Sequence, residues 1–228
     1  MSVPYIDIHT HGHFSYDGED VITVKSLNAD GVASGVGSGL FSAGIHPWWT
    51  LDYTKEELEN FKNNIEKMAL HQSLFAVGET GLDRVYKETL DDQKELFAWH
   101  IELSERTRLP LIIHSVRTGS DILEFIKDMG PSVPWVFHDF RGNKELVDSL
   151  LKLHPQIYFS FGISLDNSQH SRELIRELPL DKIFLETDAQ KHLDIKDIYL
   201  RASEQLGIDE AFLKSQILQN YKRLCQKN

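Results

Sequence analysis

Short apolar runs alternate with longer amphipathic stretches along this 228-residue chain. The apolar runs are rich in Val, Ile and Phe, a composition that predicts short buried strands. They cover residues 3–9, 39–46, 73–79, 109–114, 133–138, 156–162 and 182–188. Because helical patterns separate the strands and no linker interrupts them, we predict one α/β domain over residues 1–228 with a TIM-barrel-like (β/α) fold.

The amphipathic stretches repeat apolar residues at helical spacing. In the first of them, Thr54 and Glu57 have the spacing of a capping box, which predicts the start of a helix. The predicted helices cover residues 54–70, 89–107, 119–129, 143–153, 169–178 and 209–225.

The region between the first and third strands departs from this alternation. Residues 21–27 have the composition of a strand, but residues 12–40 contain no clear amphipathic helix, so this part of the fold is predicted to be pruned of helices. The polar segment before residue 21 is short for the crossover that joins two parallel strands. We therefore expect residues 21–27 to run antiparallel to the first strand or to lie outside the barrel.

The charge balance narrows the classes of partner. Lys and Arg number 24 against 35 Asp and Glu, a net charge of -11. This negative field disfavours a stable complex with nucleic acid, although metal ions can still hold a single phosphate group.

Apolar runs long enough for a membrane span and the pattern of a signal peptide are both missing. The only cysteine is Cys225, which suits a reducing, cytoplasmic location.

Histidines and acids mark the ends of six of the seven clear strands. In a β/α barrel these strand ends face one mouth, so distant residues converge there, and their side chains are ligands for divalent metal ions. A lone histidine at a strand end is more often a surface or hydrogen-bonded residue, and this is our interpretation of His71, His100, His154, His170 and His192. The joint pattern instead predicts a metal site from His9, His11, His46, Glu79, His114, His138 and Asp188.

Six short motifs occur in a characteristic order. They are DIHTH (7–11), GIHPWW (44–49), GETGLD (78–83), LPLIIHS (109–115), HDFRG (138–142) and LETDA (185–189). With these motifs the chain resembles the TatD family of metal-dependent hydrolases, which are amidohydrolase-like TIM barrels. The resemblance continues to the C-terminal QNYKRLC, where Asn220 matches a family asparagine.

The resemblance implies two divalent ions (zinc, manganese or magnesium) that activate water for hydrolysis. The implied metal ligands are His9, His11, Glu79, His114, His138 and Asp188, with Glu79 bridging the two ions. It also implies catalytic roles for Asp188 and Glu79. His46 and Arg141 are expected to contact the substrate, although His46 fits equally well as a loop residue packed by Pro47 and Trp48. Asp7 is expected to fix the orientation of a metal ligand without binding the metal itself.

The resemblance implies phosphodiester hydrolysis, with DNA as the family-level substrate. A small phosphorylated substrate, or a small amide or ester, is nearly as well supported, because the chain departs from the family pattern in the segments that shape the substrate groove. Val116 stands where the family often has arginine, with Arg117 one position later. The sixth motif continues into a shortened loop, ETDAQKHLDIKD.

Two further readings of the sequence remain. The first is a PHP-type phosphoesterase, because Ser15, Asp17 and Gly18 follow the His-x-His pair as they do in that class. A third metal ion bound with help from His13 or His46 would distinguish it. The second is a barrel that binds metals only as structural staples, in which case replacing Glu79 would unfold the protein.

Overall fold

A ring of eight parallel strands forms the centre of the fold. The structure, a computed structural model, describes residues 3–12, 20–27 and 39–226. The strands are β1 (Tyr5–Thr10), β2 (Val21–Leu27), β3 (Leu40–Ala43), β4 (Leu74–Asp83), β5 (Leu111–Val116), β6 (Trp135–Phe137), β7 (Ile157–Phe161) and β8 (Ile183–Leu185). Each strand pairs in parallel with the next one along the chain. The predicted TIM-barrel-like fold is confirmed.

The ring is joined at its seam by residues next to β1 and β8. The backbone N–H of Asp188 donates to the carbonyl of His9 at 3.0 Å, and the N–H of His11 donates to the carbonyl of Asp188 at 3.0 Å. These bonds form a parallel bridge between Thr10 and Asp188. The first and last strands are therefore held together at the level of the predicted site.

Helices pack around the ring over the part of the chain that the structure describes. They are α1 (Trp49–Asp52), α2 (Lys55–Met68), α3 (Leu90–Thr107), α4 (Gly119–Met129), α5 (Lys144–Leu153), α6 (Ser164–Asn167), α7 (Gln169–Glu177), α8 (Ile195–Leu206) and α9 (Glu210–Leu224). All six predicted helices are present, and the capping box of Thr54 and Glu57 is formed. The helix α8, which follows the Asp194 cap, was not predicted.

The prediction for residues 21–27 is wrong, because β2 lies inside the ring and runs parallel to both neighbours. Tyr5 pairs with Val21, so the chain must return along the whole length of β1 before β2 begins. Six strand residues span about 20 Å, whereas the connecting residues 11–20 can reach about 33 Å when extended. A connection without a long helix is thus long enough.

The expected lack of a helix between residues 12 and 40 falls mainly on 13–19 and 28–38, outside the described residues.

The strand β4 is buried along all ten residues and carries the third motif. Its neighbours approach so closely that a Cβ atom on Gly81 would lie 2.0 Å from the carbonyl oxygen of His114. The φ angle of Gly81 is +142°, which side chains rarely adopt. This glycine therefore permits the close approach of β4 and β5 beside the predicted metal ligands.

None of the described helices has the length and apolarity needed to cross a membrane.

Candidate metal centre

The predicted metal ligands converge at the mouth formed by the C-terminal ends of the strands. His9 lies in β1 and His114 in β5, while His138 directly follows β6 and Asp188 lies shortly after β8. Glu79 occupies the middle of β4 and not its end, because this strand continues to Asp83. The barrel thus brings together side chains from opposite ends of the sequence.

The carboxylate of Glu79 lies at the centre of the cluster and presents one oxygen to each side. Its Oε2 lies 3.3 Å from Nε2 of His9 and 3.7 Å from Nε2 of His11. Its Oε1 lies 2.7 Å from Nε2 of His138 and 3.1 Å from Nδ1 of His114. The donor atoms therefore form two groups that share a single carboxylate.

Asp188 completes the first group. Its Oδ1 lies 3.5 Å from Nε2 of His9 and 3.4 Å from Nε2 of His11. The backbone of Asp188 has a left-handed φ of 51°, a conformation that aspartate tolerates better than most residues. The seam between β1 and β8 fixes this backbone and so places the carboxylate over the two imidazoles.

The donor set fits divalent metal ions better than a network of hydrogen bonds. Nδ1 of His114 and Nε2 of His138 lie 3.1 Å apart, so two imidazole nitrogens converge on the same oxygen of Glu79. Both ring nitrogens of His9 are buried without a hydrogen bond, although Nε2 lies 3.3 Å from Oε2 of Glu79. Nitrogen lone pairs aimed at a shared carboxylate are typical of metal sites. Three overlapping groups have the spacing to hold an ion, namely His9 with Glu79 and His138, His9 with His11 and Asp188, and His46 with Glu79 and His114.

The electrostatics of the metal-free cluster show how strongly its members are coupled. Burial opposes protonation of His9, but contacts with Asp188 and Glu79 outweigh it and raise the pKa of His9 to about 10. Burial likewise opposes ionisation of Glu79, but the charge of His138 and hydrogen bonds from neighbouring imidazoles hold its pKa well below the usual range. Without metal, protons on the imidazoles balance the buried carboxylates.

His46 lies closer to the cluster than a loop residue packed only by Pro47 and Trp48 would. Its Nε2 is 3.0 Å from Oε1 of Glu79 and 3.4 Å from Nδ1 of His114. Burial lowers the pKa of His46 despite the neighbouring carboxylate of Glu79. A neutral imidazole at this position can contact a ligand or substrate beside the second group.

Two carboxylates that the sequence analysis did not single out support the second group. Nε2 of His114 donates to Oδ2 of Asp83 at 3.2 Å, and the indole N–H of Trp48 donates to the same oxygen at 2.7 Å. Nδ1 of His138 lies 3.5 Å from Oε1 of Glu186, which is an electrostatic contact at the limit of hydrogen bonding. Both acids lie inside motifs that the sequence shows, four residues after Glu79 and two before Asp188, and that spacing is the signal that marks them.

Asp83 fixes the orientation of His114. Burial disfavours its ionised form, but hydrogen bonds from His114 and Trp48 lower the pKa of Asp83 to about 2. An ionised carboxylate accepts a hydrogen bond from the imidazole nitrogen that faces it, so the proton stays on that nitrogen and the other nitrogen is free to bind metal. The structure therefore presents Nδ1 of His114 to Glu79 and Nε2 to Asp83.

A model of the family described as TatD related DNase matches residues 23–226. This match covers most of the chain, including five of the six motifs, and agrees with the eight-stranded barrel. The chain belongs to the TatD-related DNase family.

Relatives in this TatD family agree with that assignment. YabD of Bacillus subtilis, described as an uncharacterized metal-dependent hydrolase, is 33% identical over 149 residues, which is 64% of this chain and 56% of YabD. The human 3'-5' RNA nuclease TATDN2 is 31% identical over 151 residues, covering 64% of this chain and 19% of that protein. The aligned part thus spans little more than half of the bacterial relative's length and a smaller share of the human one.

The fold of the TatD homologue YjjV from Escherichia coli K12 is similar over its whole length. The two structures agree with a TM-score of 0.81 at 20% sequence identity, and the match covers 98% of each chain. A TatD family protein of Entamoeba histolytica matches with a TM-score of 0.79 at 15% identity over 98% of each chain. At these identities the likeness shows the fold alone.

The remaining predicted residues of this TatD-family chain are placed as follows. Arg141 is exposed and donates to Oδ2 of Asp139 through Nε at 2.9 Å and Nη2 at 2.6 Å. Asp7, expected behind a metal ligand, accepts hydrogen bonds from the N–H and hydroxyl of Thr187 at 3.0 and 2.7 Å, so it holds the segment that carries Asp188. His13, Ser15, Asp17 and Gly18 lie outside the described residues.

Proposed function

We propose that this chain is a metal-dependent hydrolase that uses two divalent ions to cleave phosphoester bonds. The observation that carries the proposal is Glu79, whose two carboxylate oxygens face separate groups of imidazole nitrogens. A carboxylate between two sets of metal-binding side chains would suit a two-metal hydrolase. The names of the relatives, metal-dependent hydrolases and an RNA nuclease, support the reaction class.

The two groups would hold the ions in distinct surroundings. The first ion would be bound by His9, His11, Asp188 and Oε2 of Glu79, and the second by His114, His138 and Oε1 of Glu79. Bound divalent ions would make a water molecule acidic enough to lose a proton near neutral pH and would neutralise charge on phosphoryl oxygens. Zinc, manganese and magnesium all accept these ligands to different degrees.

Asp188 and Glu79 are the proposed catalytic residues. In the metal-free protein burial opposes ionisation of Asp188, but contacts with His11 and His9 outweigh it and hold the pKa of Asp188 well below its usual range. The ionised carboxylate would accept a hydrogen bond from a water molecule and orient it, and it is the proposed acceptor of that water's proton. Glu79 fixes the separation of the two groups, while His46 and Arg141 would contact the substrate.

The test offers several substrates to purified protein loaded in turn with manganese, zinc and magnesium. Single-stranded DNA, generic phosphodiesters and phosphomonoesters are expected to include at least one that is hydrolysed by the wild type and not by Glu79→Gln. An exposed-site variant, Asp148→Asn, is the control for handling and folding. No turnover of any phosphoester by protein with metal demonstrably bound would contradict the proposal.

A further inference from the structure

A cavity of about 590 Å³ opens beside the second group of ligands. His114 and His138 line it, together with residues 115–119, residues 139–142 and Leu146. Its volume lies within the range of small-molecule sites, roughly 300–1,000 Å³. Because the cavity shares two imidazoles with the candidate metal centre, a molecule that fills it also reaches the reacting position.

Arg117 lies on one wall of this cavity. It is exposed, and it makes no ion pair or hydrogen bond with any described residue. Other arginines of the chain are paired, for example Arg84 with Asp121 and Arg106 with Glu66. The backbone of Arg117 has a left-handed φ of 57°, which costs energy for a residue other than glycine and is common at functional sites.

Arg141 lies on the cavity wall formed by the segment after β6. Asp139 accepts from its Nε and Nη2, so the guanidinium is held in place while Nη1 remains available. Among the charged side chains that line the cavity, Arg117 and Arg141 outnumber the single acid Asp139. With Asp139 paired to Arg141, the charge of Arg117 leaves this wall positive in a chain whose net charge is -11.

The start of α4 adds to this positive character. The helix begins at Gly119 on the cavity wall, and its N-cap residue Thr118 makes no capping bond. The Thr118 hydroxyl instead bonds to Ser115 and the carbonyl of Leu82. Uncapped N–H groups at a helix start favour a nearby anion.

We propose that this cavity binds a second anionic group of the substrate, a terminal phosphate, through Arg117 and Arg141. Planar guanidinium groups bind phosphate in two-point contacts. If the scissile phosphoryl group is held at the metal centre, the guanidinium groups of Arg117 and Arg141 stay free to bind another phosphate of the same substrate. The inference rests on the proposed phosphoesterase function for the identity of the substrate. It makes the preferred substrate a short molecule with a phosphate at one end and a scissile phosphoester at the metal centre.

The kinetic test compares the dinucleotide of two thymidines with the same dinucleotide carrying a 5′-phosphate, using manganese-loaded protein. The wild type is expected to have the higher kcat/KM for the phosphorylated form. Loss of one charged hydrogen-bonding contact should reduce that preference about tenfold in Arg117→Ala and in Arg141→Ala. Arg106→Ala, an arginine paired at a distance from the cavity, should keep the wild-type preference. No preference in the wild type, or an unchanged preference in both cavity variants, would overturn the proposal.

A binding test separates this inference from the proposed function. Pyrophosphate is titrated into metal-free protein by calorimetry, so that no turnover is needed. In Arg117→Ala and in Arg141→Ala the affinity for pyrophosphate is expected to fall about tenfold, or the number of bound pyrophosphates is expected to fall by one. Arg117→Lys should recover part of the binding, and Arg106→Ala should bind as the wild type does. Absence of binding to the wild type, or equal binding by all variants, would refute the anion site. Binding that follows this pattern in a protein with no phosphoesterase activity would refute only the proposed function.

Discussion

His9 and His100 are equally buried, at 0% exposure, but occupy opposite electrostatic environments. His9 faces the carboxylates of Asp188 and Glu79, and their contacts raise its pKa to about 10 against the effect of burial. His100, behind the barrel on α3, accepts the N–H of Ile45 at 2.9 Å and contacts the carbonyl of Leu96 at 2.7 Å, and burial lowers its pKa to about 3.

Partners, and not burial, distinguish the candidate metal ligand His9 from the structural histidine His100. The imidazole of His100 is satisfied on both nitrogens by backbone groups, so it stabilises the contact between α3 and the segment after β3. Nε2 of His9 instead lies 3.3 Å from Oε2 of Glu79 and 3.5 Å from Oδ1 of Asp188, and neither ring nitrogen of His9 has a hydrogen bond among the described residues. The four predictions below test this difference, beginning with the largest expected effect.

Replacing Glu79 by Gln should reduce the hydrolytic activity by several orders of magnitude, because the two groups of imidazoles lose the carboxylate that they share. Metal content measured after dialysis should fall for both ions, while circular dichroism should show a folded barrel. Unfolding of Glu79→Gln would favour a purely structural role of the cluster. Normal metal content would instead show that the carboxylate does not bridge the two groups.

Replacing Asp83 by Asn gives His114 an amide partner, which resembles the neutral surroundings of His100. We expect metal affinity to fall about 10- to 100-fold, because the carboxylate behind a metal-binding imidazole raises its basicity and fixes its orientation. Competition with a chelator measures the change without relying on turnover. Asp148→Asn, at an exposed pair with Lys144, should leave the affinity unchanged. Equal affinities in all three proteins would show that Asp83 does not act through His114.

Metal binding should release protons at pH 7.5. The folded, metal-free state holds protons on His9, whose pKa is about 10, and on His138, whose pKa Glu79 raises despite burial. Since a metal takes only deprotonated imidazole, affinity should increase as the pH rises. Calorimetry in buffers of different ionisation enthalpy measures the protons released. A binding enthalpy independent of the buffer would contradict the assignment of these imidazoles as ligands.

Burial of the neutral His100 imidazole should make the fold less stable in acid. Its folded pKa of about 3 lies below the unfolded value of about 6.5, so only the unfolded chain binds its proton between these values. Its contribution to stability is complete above pH 6.5 and should decrease by about 2 kcal/mol between pH 6.5 and 5. Urea unfolding of His100→Gln should show a smaller loss over this range than the wild type. His170→Gln, an exposed histidine on α7, is the control, and an identical slope in His100→Gln would contradict the prediction.

The sequence predicted the elements well because hydrophobic periodicity acts locally. Strand and helix spans followed from that pattern, and the strand-end histidines implied convergence because parallel strands of a barrel end at one mouth. The direction of β2 could not be obtained in this way. The prediction relied on the usual length of a crossover between parallel strands, whereas residues 11–20, when extended, can span more than the length of β1. The helix α8 was missed beside the shortened loop that follows the sixth motif.

The surroundings of the site were less accessible to sequence reasoning. Asp83 and Glu186 lie within two of the six motifs, but only the structure shows that Asp83 accepts a hydrogen bond from His114 and that Glu186 approaches His138. The cavity beside them depends on how the segments after β5 and β6 lie against each other. Such contacts between separate loops leave no periodic signal, whereas ligands placed by strands do.

The seam of the barrel carries a consequence for biosynthesis. Asp188 is both a candidate ligand and the residue whose backbone joins β8 to β1, and Thr187 beside it bonds to Asp7 across a separation of 180 residues. A nascent chain therefore contains five of the six candidate ligands well before the sixth emerges from the ribosome. Complete capture of metal would be a late step in maturation, and by mass action it would favour finished barrels over partly folded chains.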